Sequence, residues 1–128
     1  MVDVRPRSIL LVDDDQALLD SLAMVVETMA AGVAIKARGL GDVQSQRDEA
    51  VACDSAIIDI NLGLGEPTGV DVYRWLRSSG FGHKPITFLT GHAKTHPDIV
   101  EASRLGDCAV YSKPIDMDLF LKIAQTHG

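Results

Sequence analysis

The sequence predicts an α/β fold, a three-layer αβα sandwich built on a five-stranded parallel sheet. Three features carry that expectation. Short apolar runs recur almost without polar interruption, as strands buried on both faces require. They include Ile9, Leu10, Leu11 and Val12, then Ala56, Ile57 and Ile58, then Ile86, Thr87, Phe88 and Leu89. Segments of helical period alternate with them. Acidic residues stand where two of the runs end, Asp13 and Asp14 after Val12 and Asp59 after Ile58.

Each element follows from local signals. After the first strand, Ala17, Leu18, Leu22, Val25, Val26 and Met29 recur at helical spacing. Asp15 suits the N-cap and Gly32 the end of that helix. Residues 33–37 form a short second strand. Residues 42–52 make a mostly polar, weakly amphipathic helix, and 55–60 the third strand. A Gly-rich loop spans 62–69, after which Val70, Tyr73, Trp75 and Leu76 mark a third helix that closes near Gly80. Residues 85–89 form the fourth strand, ending at Thr90. Pro97 fits the first turn of a fourth helix that runs to Leu105 and stops at Gly106. Residues 108–111 form the fifth strand, with Lys113 and Pro114 directly after it. The last helix covers 116–125, with Leu119, Phe120 and Ile123 turned inward.

Composition removes other classes. The chain of 128 residues suits a single domain with a real core, here taken to occupy 1–128 with no output domain. Its formal net charge of −6 opposes a nucleic-acid interface, which needs a basic face. No run of about 20 apolar residues exists to cross a membrane, and the apolar run after the basic N-terminus is too short for a signal peptide. Cys53 and Cys108 lack metal-type spacing and are expected as reduced, buried thiols of a cytoplasmic protein.

Five βα units joined by right-handed crossovers put helices on both faces of the sheet. The flavodoxin-like strand order 2-1-3-4-5 sets strands one and three side by side, with ligands collecting beyond the strands' carboxyl ends. That edge gathers Asp13, Asp14 and Asp59, with Thr90 and Lys113 on the same rim. Two carboxylates about 5 Å apart repel by roughly 3 kcal/mol at an effective dielectric near 20. A hard divalent cation relieves that cost, and Mg²⁺ is the usual guest of a few carboxylates plus a phosphate.

The segments Val12, Asp13, Asp14, Asp15; Ile57, Ile58, Asp59; Leu89, Thr90, Gly91; and Ser112, Lys113, Pro114 together resemble the receiver domain of two-component response regulators. The resemblance covers essentially the whole chain, in order. It implies that Asp59 is the phosphoacceptor, a carboxylate that holds a phosphoryl group as an aspartyl phosphate. It implies Mg²⁺, with Mn²⁺ as an alternative, held directly by Asp14, through water by Asp13, and by Asp59 and the backbone carbonyl of Asn61. Lys113 would pair with a phosphoryl oxygen, Thr90 would turn its hydroxyl to another, and Gly91 would leave the approach open. Asp15 is expected to cap the first helix and not to bind metal.

The implied donor is a sensor histidine kinase or a His phosphotransfer protein. The implied output is protein contact through the fourth helix, fifth strand and fifth helix, with no nucleic acid or membrane involved. Such a chain catalyses its own phosphorylation and dephosphorylation while serving as a signalling switch. Two departures from the family pattern stand out. Val110 occupies the place, three residues before Lys113, that receivers usually fill with Phe or Tyr. Tyr111, one residue later, should face the other side of the sheet. The loop after Asp59 is longer than usual, and Asn61 and His92 occupy positions that in the family tune hydrolysis.

Rival readings are a pseudo-receiver that acts as an interaction module, a receiver cut from a hybrid kinase, and a flavin or nucleotide carrier on the same fold. Gly63, Gly65 and Gly69 superficially resemble a dinucleotide loop, but the spacing is one residue too long and Asp59 would repel a pyrophosphate. His92 and His96 are four apart beside Pro97, an unpromising zinc pair.

Overall fold

A computed structural model of the chain describes residues 6–91 and 96–125. Five parallel strands, β1 (Ser8–Val12), β2 (Val33–Ala37), β3 (Ser55–Asp59), β4 (Ile86–Thr90) and β5 (Ala109–Ser112), form one sheet of order β2-β1-β3-β4-β5. All of β3 and β4 is buried, which explains their largely apolar runs. β5 lies at an edge and has no fully buried residue, Ala109 and Ser112 being exposed and Val110 and Tyr111 half-buried, and it runs one position later in the chain than its sequence suggests.

Among the described residues six helices surround the sheet: α1 (Gln16–Met29), α2 (Leu40–Ser45), α3 (Arg47–Ala52), α4 (Gly69–Ser78), α5 (Pro97–Ser103) and α6 (Met117–Ala124). The helix expected over 42–52 is thus two short helices. Between them Gln46 leaves helical geometry, and its side-chain amide donates to the Lys36 carbonyl at 2.9 Å. Only Val43 and Ala50 are fully buried there, too little apolar surface to hold one continuous amphipathic helix in register. The expected fourth and fifth helices are therefore α5 and α6. None of the described helices is long and apolar enough to cross a membrane.

Caps set most of the helix starts. The Leu18 N–H donates to Asp15 Oδ1 at 3.1 Å, so Asp15 caps α1 as expected. Thr68 and Asp71 form a reciprocal capping box on α4. Pro97 opens α5 and Asp116 caps α6. The end of α1 differs from the expectation. The helix stops at Met29, and the residue with positive φ is Ala31 (52°), not Gly32. Gly32 is needed for space, since a Cβ there would sit 2.8 Å from the Arg7 carbonyl oxygen and 3.0 Å from Val26.

Two cores result, one on each face of the sheet. Leu10, Val12, Ile58 and Phe88 pack against α2–α5, while Ile9, Leu11, Ile57 and Leu89 pack against α1 and α6. Val110 joins the first core and Tyr111 the second, so the two side chains do face opposite ways. Both cysteines are free. Cys53 is fully buried, but Cys108 is only partly so, because it precedes the edge strand.

Candidate functional site

The parallel register brings distant acids to one edge. Val12 pairs with Ile58 across β1 and β3, so the residues that follow, Asp13 and Asp59, emerge side by side. One carboxylate oxygen each from Asp13, Asp14 and Asp59 lies within 4.8 Å of the others. Asp13 and Asp59 are buried at 3% and 5% exposure, and Asp14 is exposed at the mouth. Opposite ligands of an octahedral Mg²⁺ stand about 4 Å apart, so this donor set suits a small hard cation.

Lys113 reaches the same point from the end of β5. Its Nζ donates to Asp13 Oδ2 at 2.8 Å and to Asp59 Oδ2 at 3.1 Å. Its backbone N–H donates to the Thr90 carbonyl at 2.8 Å, which fixes the residue against the end of β4. The second oxygen of Asp13 accepts from the Asp15 N–H at 2.9 Å, so the turn that starts α1 also orients Asp13. Asp59 Oδ1 accepts from the Asn61 N–H at 3.3 Å. The exposed Asn61 side chain in turn accepts from the Gly63 N–H at 3.1 Å, drawing the loop around the site.

These contacts set the titration. Burial, then the Asp13 charge, pushes the Asp59 carboxyl up to about 6, although Lys113 pulls against both. For Lys113, burial alone would lower the pKa. The hydrogen bond to Asp13 and the charges of Asp59 and Asp13 outweigh it and hold the ammonium above its ordinary value. The pocket thus contains a cation fixed between two carboxylates, one of which gains its proton more readily than a free aspartate.

Thr90 is buried at 4% exposure at the end of β4, one residue beyond Leu89, which pairs with Asp59. Gly91 borders open space, where a Cβ would meet nothing within 4 Å. His92 lies outside the described residues. His96 has a structural role, its Nδ1 accepting from the Asp98 N–H at 3.2 Å at the start of α5.

The sequence reading missed one positioning residue, Gly69. A Cβ there would lie 2.3 Å from the Asp59 carbonyl oxygen and 2.9 Å from Ile60 Cα. Its N–H donates to the Ile60 carbonyl at 2.8 Å. The start of α4 is therefore pressed against the backbone of Asp59 itself, and only glycine fits. The signal was in the sequence, but it was counted with the other loop glycines. A second feature missed was Arg38, whose Nη2 donates to the Asp14 carbonyl at 3.4 Å.

The family model described as the response regulator receiver domain matches residues 9–125, and the chain belongs to that family. It is 30% identical over 110 residues to the response regulator protein TodT of Pseudomonas putida, a match covering 86% of this chain and 46% of TodT. It is 31% identical over 106 residues to the response regulator protein TmoT of Ectopseudomonas mendocina, covering 83% of this chain and 46% of that protein. The chain spans about half the length of the curated relatives it matches. Among solved structures, the chemotaxis protein CheY4 of Vibrio cholerae superposes with a TM-score of 0.76 at 21% identity, covering 94% of this chain and 97% of that one. The receiver domain of NtrX from Brucella abortus gives 0.75 at 21%, covering 91% and 94%. At these identities the likeness to solved structures is one of fold.

Proposed function

We propose that this receiver domain accepts a phosphoryl group from a phosphohistidine donor onto Asp59 in a Mg²⁺-dependent reaction, and so works as a signalling switch. The observation that carries this is Lys113 Nζ lying within 3.1 Å of both Asp59 and Asp13, with Asp14 completing the acidic nest.

Each residue has a physical task. Asp59 offers the nucleophilic oxygen. Its buried carboxylate is fixed by Lys113 and the Asn61 N–H, so little reorientation separates it from attack. Lys113 is placed to neutralise charge on a transferred phosphoryl oxygen, and phosphoryl transfer depends mainly on placement and neutralisation of this kind. Asp13, Asp14, Asp59 and the Asn61 carbonyl are the groups that would hold Mg²⁺. When bound, that ion supplies charge compensation between the carboxylates and the phosphoryl oxygens. Thr90, at the neighbouring strand end, is assigned the hydroxyl contact to the phosphoryl group.

The donor is a sensor histidine kinase or a His phosphotransfer protein, which sets the chain to work in the cytoplasm. The signal leaves by protein contact at α5, β5 and α6. Phosphorylation need bias an existing pair of conformations by only a few kcal/mol to do this.

Labelling with a radioactive small phosphodonor tests the assignment. The expected result is Mg²⁺-dependent labelling of the wild type and none of Asp59→Asn. Labelling that persists in Asp59→Asn refutes Asp59 as the acceptor.

A further inference from the structure

Val110 is smaller than the aromatic residue that its position in the pattern calls for, but its register partner Phe88 carries an aromatic neighbour from another element. Val110 pairs in register with Phe88 on β4. Phe88 is fully buried and shares a strand face with Thr90, two residues on. The ring of Tyr73, from α4, packs on Phe88 with centroids 6.1 Å apart at a 50° tilt. Tyr73 and Val110 both pack against the same core cluster.

The far end of Tyr73 is held by a polar cluster. Its hydroxyl lies 2.8 Å from Asp107 Oδ1 and 3.1 Å from Oδ2, donating to a carboxylate two residues before β5. The Arg77 guanidinium pairs with Asp107 Oδ2 at 3.3 Å and stacks over the Tyr73 ring at 5.1 Å. The Cys108 thiol donates to Asp107 Oδ1 at 3.4 Å. Arg77 also donates to the carbonyls of Gly82 and Lys84, at 2.6 and 2.7 Å. One carboxylate thus ties α4, the turn before β4 and the start of β5 together, and Tyr73 is the piece of the tie that touches the core behind Thr90.

We propose that Tyr73, latched to Asp107, is the aromatic positioning residue that couples the phosphoacceptor end of β4 to α4 and to the start of β5 in this chain. The proposal rests on Asp59 being the phosphoacceptor. A displacement of Thr90 toward a phosphoryl group shifts β4, and Phe88 passes the shift to the Tyr73 ring. Tyr73 is held at both ends, by its packing on Phe88 and by its hydroxyl's bond to Asp107, so a shift of the ring loads that bond. The coupling is reciprocal: whatever the phosphoryl group does to the latch, the latch does to occupancy of the phosphoryl site.

The test compares Tyr73→Phe, which keeps the ring and removes the hydroxyl, with Asp107→Asn and the double variant. Beryllofluoride with Mg²⁺ serves as the phosphoryl mimic, its apparent affinity read by amide NMR, with the melting temperature recorded in parallel. Each single variant is expected to shift that affinity at least about five-fold, in the same direction, with the double variant no further displaced. In the wild type the amide signals of Tyr73, Asp107 and Cys108 should move on addition of the mimic. Variants that melt lower yet bind the mimic like the wild type would make the cluster a structural tie and overturn the coupling. A wild type that binds no mimic and takes no label overturns the phosphoacceptor reading, and the coupling with it.

Discussion

Asp59 is a buried acid held beside another buried acid by one lysine, and this arrangement has a cost that pH reveals. Its carboxyl is pushed up to about 6, above the ordinary 3.8, by burial first and Asp13 second. The folded chain therefore binds more protons than the unfolded one between those values. Its contribution to stability is present below about pH 4 and is lost as pH rises through about 6. Asp59→Asn removes that cost, and in EDTA at pH 8 it should stabilise the chain by roughly 1–3 kcal/mol. At pH 5 the gain should be roughly half as large, and urea unfolding at the two pH values measures both. Lys113→Ala acts in the opposite direction. It leaves two buried carboxylates without their cation, a loss on the order of 3 kcal/mol at pH 8 in EDTA. Equal midpoints for Lys113→Ala and the wild type would show that the ammonium does not serve as their counter-charge.

At the scale of elements, the close packing of α4 against the end of β3 governs the position of Asp59. Gly69→Ala puts a methyl group where the Asp59 carbonyl and Ile60 backbone already stand. The backbone must give way, so a loss of about 2–4 kcal/mol in unfolding free energy is expected, along with slower labelling of Asp59. Thr68→Ala on the same helix removes only a cap. It should cost about 1 kcal/mol and leave labelling unchanged. Slower labelling in Thr68→Ala by as much as in Gly69→Ala would show that helix stability, not backbone contact, sets the acceptor. Elements were legible in the sequence where one cause decided them. The middles of β1, β3 and β4 are largely apolar because both their faces are covered. Asp15 and Pro97 announced the starts of α1 and α5 through cap chemistry and fixed φ. The break at Gln46 was hidden because it depends on a side-chain bond to Lys36, a residue on another element. The need for Gly69 was hidden for a similar reason, since it comes from a contact with β3 and not from the local turn.

For the whole molecule, the acidic nest exists only because the strand order sets β1 beside β3 and carries β5 around to the same edge. Asp13, Asp59 and Lys113 could be placed from sequence because each stands at the carboxyl end of a strand, where a parallel sheet collects ligands. The tie among Tyr73, Arg77 and Asp107 could not, because it depends on side-chain reach between α4 and the turn before β5. Mg²⁺ should stabilise the assembled fold by linkage, by about 2.7 kcal/mol at a hundredfold excess over its dissociation constant. Asp14→Asn should lose most of the accompanying rise in melting temperature. The most direct measurement is peptide mapping after a small phosphodonor has reacted with the chain and borohydride has reduced any acyl phosphate to an alcohol. Homoserine at residue 59 alone, formed only when Mg²⁺ is present, is the predicted result; homoserine at residue 13 or 14, or phosphate found on a histidine instead, would contradict it.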